Sequence, residues 1–94
     1  MDNTIENNKL ISEFMGGYEL EEFEDYHTDW NWLMEVVGKI ENYNEYTSVL
    51  FFPQGCEINC YIENGFSFSN DCNTKIEAVY NACVEFIKWY NKQK

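Results

Sequence analysis

"CEINCYIENGFSFS", Cys56 to Ser69, decides the fold. Its first eight residues alternate in character. Cys56, Ile58, Cys60 and Ile62 face one way, and Glu57, Asn59, Tyr61 and Glu63 the other. A period of two marks a strand with one buried face. Asn64-Gly65 is a tight-turn dipeptide. The following "FSFS" reads as a short strand with Phe66 and Phe68 inward. Upstream, "TSVLFF" (Thr47 to Phe52) is β-branched and aromatic, and it stops at Pro53 and Gly55. The three runs predict an antiparallel meander. Such a sheet is stable only when helices cover its apolar face.

The helices lie on either side. Downstream, "TKIE" (Thr74 to Glu77) fits a capping box, in which the Thr hydroxyl and the Glu carboxylate each satisfy a free backbone N–H. Ile76, Val79, Tyr80, Cys83, Ile87 and Tyr90 then form an apolar stripe, widened by Val84 and Phe86. Upstream, a helix begins near Thr28 or Asp29, either of which suits an N-cap. Its stripe is Trp30, Leu33, Met34, Val37 and Ile40, and it ends by about Glu41. A first helix over about 4–15 carries Leu10, Ile11, Phe14 and Met15 on one side, and Gly16-Gly17 stops it. The predicted order is α-α-β-β-β-α, an α+β domain of about two or three layers. Residues 1–5 are expected to be disordered, and 17–28 form an acidic, aromatic loop.

Ninety-four residues hold one hydrophobic core. Repeats and interdomain linkers are absent from the sequence. The longest apolar run is Val49 to Phe52, too short for a transmembrane helix. The N-terminus lacks the basic start and apolar stretch of a signal peptide. A cytoplasmic protein is expected, with no membrane partner.

The net charge is −11, and residues 1–45 hold −10 of it. All six basic residues are lysine. Attraction to phosphate dominates nucleic-acid affinity, so direct binding of nucleic acid is disfavoured. A basic partner is favoured instead. The bland alternative is that the acidity confers solubility alone.

Four cysteines stand at 56, 60, 72 and 83. Reduced thiols are expected in the cytoplasm. Structural zinc wants closer pairs or added histidines. Cys72, just before the last helix, is the expected exposed thiol.

The acidic loop is the functional candidate. From Gly16 to Trp30 the chain sets six acids among Tyr18, Phe23, Tyr26 and Trp30. Calcium loops alternate oxygen ligands around a Gly, and "ELEEFED" does not. His27, held by Glu24, Asp25 or Asp29, is the one candidate acid–base group. Packing or capping is its simpler role. Trp32 falls off the apolar stripe, and an exposed Trp beside an acidic loop suits an interface anchor. Trp89 raises the same question on the last helix. Phosphate loops, nucleotide fingerprints and serine elbows are absent from the sequence.

Three stretches carry a resemblance: "KLISEFMGG" (9–17), "YHTDWNWLMEVVGKIE" (26–41) and "TKIEAVYNACVEFIKWYN" (74–91). Together they resemble small phage and prophage proteins grouped as the phage ABA-sandwich domain. The resemblance implies a phage or mobile-element origin and helices around a small sheet. It brings no activity and no catalytic residues. The acidic stretch Glu19 to Asp25 departs from the pattern.

The expected function is therefore a non-enzymatic interaction protein. Its acidic surface would bind a basic, nucleic-acid-binding host protein, as an anti-CRISPR-like inhibitor does. The expected partner-binding residues are Glu19, Glu21, Glu22, Glu24, Asp25, Tyr26 and Trp32. No catalytic residue, cofactor or metal is expected. The alternatives are a phage assembly accessory acting as a homo-oligomer, through apolar surface on its sheet or last helix, and a small enzyme or metal protein centred on His27.

Overall fold

The computed structural model describes residues 4–16, 26–62 and 65–93. The elements are α1 (Thr4–Met15), α2 (Trp30–Glu41), β1 (Thr47–Phe52), β2 (Gly55–Cys60), β3 (Phe66–Asp71) and α3 (Lys75–Lys92). The three strands form one antiparallel sheet in the order β1-β2-β3. This is the α+β order that the sequence predicts. α1 begins at Thr4, and residues 1–3 of the stretch expected to be disordered lie outside the described residues.

The β1–β2 hairpin is tight. Phe52 pairs with Gly55, leaving Pro53 and Gln54 as the loop. The β2–β3 connection differs from expectation. Cys60 pairs with Phe66, so five residues separate the strands rather than a two-residue turn at Asn64-Gly65. The reason is register. Directly opposed residues share a face, and a pairing of Glu63 with Phe66 would put both phenylalanines beside Glu63 and Tyr61. The observed pairing sets Phe66 and Phe68 beside Cys60 and Ile58 instead. β2 therefore ends at Cys60, and Ile62, expected inward, is 37% exposed.

One sheet face, with Val49, Cys56, Ile58, Cys60, Phe66 and Phe68, packs on α3 and α2. α3 touches all three strands and both other helices. That central place explains its broad apolar arc, in which Ala78 and Ala82 are buried along with Val79, Tyr80, Cys83, Val84, Phe86 and Ile87, while Ile76 and Tyr90 of the predicted stripe are half-buried. Thr74 caps it, its Oγ1 accepting the Glu77 N–H at 3.2 Å. Phe86 is fully buried, with Phe14, Tyr43, Phe66 and Trp89 edge-on or tilted around it. Trp89 belongs to this cluster, so it packs rather than standing out as an interface anchor.

α1 packs on α3 and α2 without touching the sheet. Ile11 and Phe14 are buried as predicted, and so are Asn8 and Ser12. In α2 the buried residues are Leu33, Val36, Val37 and Ile40. Trp30 and Met34, expected in the core, are 39% and 44% exposed. The helix is rotated so that the Val36 side of its apolar surface meets the core.

Candidate functional site

Asp29 starts α2, its carboxylate accepting the Asn31 N–H at 2.9 Å. This cap fixes the first turn just where the chain leaves the acidic stretch. With the Leu33, Val36, Val37 and Ile40 face turned inward, Asn31, Trp32 and Glu35 share an outer side of the helix, at i, i+1 and i+4.

Trp32 is 37% exposed. Its ring meets that of Tyr26 edge to face, with centroids 5.6 Å apart and planes at 76°. Tyr26 itself is buried, so it forms a wall rather than an exposed contact. Met15, at the end of α1, joins them. Met15, Tyr26, Asn31, Trp32 and Glu35 line an open groove of about 510 Å³.

The groove is acidic as well as aromatic. Glu35 makes no ion pair among the described residues. Lys39 stands one helical turn away, yet its Nζ donates to the Phe14 carbonyl and lies 4.9 Å from the Phe14 ring centroid. The carbonyl end of α1 attracts a cation, and that attraction takes the ammonium from Glu35.

His27 is held elsewhere. Asn8 Nδ2 donates to His27 Nδ1 at 3.2 Å, and the Tyr80 hydroxyl donates to Asn8 Oδ1 at 3.0 Å. The network ties the chain after the acidic stretch to α1 and α3. The Asp29 carboxylate serves the α2 cap. Packing is thus the role the described contacts give His27.

Two of the thiols are quiet, Cys56 and Cys83. Burial first, then the Glu57 carboxylate, pushes Cys56 up to about 11. Burial, then Cys56, pushes Cys83 up further. Both are protonated at neutral pH and poor nucleophiles. Cys60 is also buried, and Cys72 is half-buried. Among the described residues, no group of three His, Cys, Asp or Glu side chains is placed to hold a metal.

Of the predicted partner-binding residues, Tyr26 and Trp32 are brought together. Glu19, Glu21, Glu22, Glu24 and Asp25 lie outside the described residues. Glu35, Asn31 and Met15 were not predicted. The i, i+3 spacing of Trp32 and Glu35 was the available signal for the first of these. Comparison with protein-family models, with curated proteins and with solved structures finds no match. Among the described residues, no helix is long and apolar enough to cross a membrane.

Proposed function

We propose that the chain is a non-enzymatic, cytoplasmic interaction protein of phage or mobile-element origin. Its acidic and aromatic end docks onto a basic, nucleic-acid-binding host protein, in the manner of an anti-CRISPR inhibitor. Carboxylates along a loop imitate a phosphate backbone, and exposed rings supply buried area. The observation that carries this reading is the half-exposed Trp32 beside an unneutralised Glu35, at the point where the chain emerges from Glu19–Asp25. The resemblance to phage ABA-sandwich proteins supports the origin.

The test is capture from a bacterial lysate by the tagged protein. The comparison is a variant with Glu21, Glu22 and Glu24 all changed to Lys. A basic nucleic-acid-binding protein retained by the wild type and lost by the variant, with unchanged circular dichroism, is expected. Equal capture by both versions would sink the idea.

A second reading, a self-associating assembly accessory, has its own observation. The sheet face opposite the helices exposes Leu50 and Phe52, and the exposed Tyr46 and Tyr61 pair through the backbone just beyond the strand ends; apolar patches of this kind mark interaction surfaces. Sedimentation velocity decides it. A mass that rises with concentration supports self-association, and a strict monomer removes it.

A further inference from the structure

We infer that the groove lined by Met15, Tyr26, Asn31, Trp32 and Glu35 is a receptor for a guanidinium group, an arginine side chain presented by the basic partner. The inference rests on the docking reading above and names what enters the site.

Three observations converge. First, Trp32 is 37% exposed, and its ring is held in place edge to face by the buried Tyr26. An indole face attracts cations, and a planar guanidinium stacks on it more closely than a solvated ammonium does. Second, the Glu35 carboxylate lies on the same side of α2 as Trp32 and has no ion pair among the described residues. A guanidinium presents two parallel N–H donors to such a carboxylate. The Asn31 side chain adds an amide oxygen that accepts a further N–H.

Third, the chain supplies no such ligand. It contains no arginine, and Lys39, the cation closest in sequence to Glu35, is engaged by the Phe14 carbonyl and ring. Among the described residues, no lysine lines the groove. The −10 carried by residues 1–45 draws cations of every kind towards this end. Long-range charge alone does not select arginine, so the test separates local recognition from it.

The indole N–H signal of Trp32, assigned with Trp32→Phe, is followed by NMR during titration with N-acetyl-arginine amide at physiological ionic strength. N-acetyl-citrulline amide has nearly the same shape without the charge. N-acetyl-lysine amide has the charge without the planar fork. A saturable shift with arginine is expected, about tenfold weaker for citrulline and several-fold weaker for lysine. Glu35→Gln, an exposed substitution that leaves the fold alone, is expected to weaken arginine binding about tenfold. Equal binding of lysine, equal binding of citrulline, an unchanged Glu35→Gln variant or a shift that never saturates would each overturn the inference.

The two readings fail separately. If arginine does not bind while the acid-to-Lys variant still loses the partner, the docking reading stands with another anchor. If arginine binds while that variant keeps the partner, the docking reading is lost and the groove remains a cation site.

Discussion

Glu35 and Lys39 show how a single unmade contact shapes this surface. Four residues apart on one helix, they have the spacing of an ion pair. The Phe14 carbonyl and ring, near the end of α1, compete for the ammonium and hold it. The sequence displays the spacing but not the competitor, because α1 and α2 meet only in the folded chain. Asp29 was legible as a cap, since capping is local. Trp30 was not, because α2 is apolar on both sides of its core arc and spacing does not say which side turns inward. Asn8 is another residue that pattern alone hides: a polar group on a buried face, satisfied by Tyr80 and His27. Tyr80→Phe deprives Asn8 Oδ1 of its donor inside the protein. A loss of about 1–3 kcal/mol is expected in urea unfolding, and an unchanged midpoint would show that the network contributes nothing. The buried thiols predict a pH effect. Cys56 is raised from 9.0 to about 11 on folding, so above pH 9 the unfolded chain releases a proton that the folded chain keeps. Stability from this group is therefore complete below about pH 9 and declines as pH rises towards 11. Urea midpoints at neutral and alkaline pH check it: the alkaline drop is smaller in Cys56→Ala than in the wild type.

Among the elements, helix ends and strand identities were legible, and register was not. Thr74, the apolar stripe of α3 and the alternation of β2 are local signals. The β2–β3 pairing is set instead by which face meets the helices, a tertiary demand that overrode the Asn64-Gly65 turn signal. The longer connection makes Gly65 special. A Cβ at that position would collide with the Cys60 and Ile62 backbone carbonyls. Backbone atoms cannot swing aside as a flexible side chain does. Gly65→Ala is expected to lower stability by about 1–3 kcal/mol, whereas Gly38→Ala, which meets open space, costs no packing. Thermal melts of the two variants measure the contrast, and equal melting points would contradict the described loop.

The whole molecule divides its surface by chemistry. Acidity gathers in the first half of the chain, while the sheet face away from the helices carries Leu50 and Phe52 beside Ser48 on β1 and Ser67, Ser69 and Asp71 on β3. The division was visible in the charge count, but the groove beside Trp32 was not, because it needs α1, Tyr26 and α2 brought together. An inhibitor that imitates a phosphate backbone must compete with nucleic acid for its partner. The most direct measurement is therefore displacement: labelled nucleic acid is bound to the captured host protein, and this chain is titrated in. Stoichiometric release is expected, weakened by added salt and by the Glu21, Glu22 and Glu24 reversal to Lys. A stable ternary complex, with nucleic acid still bound, would contradict it.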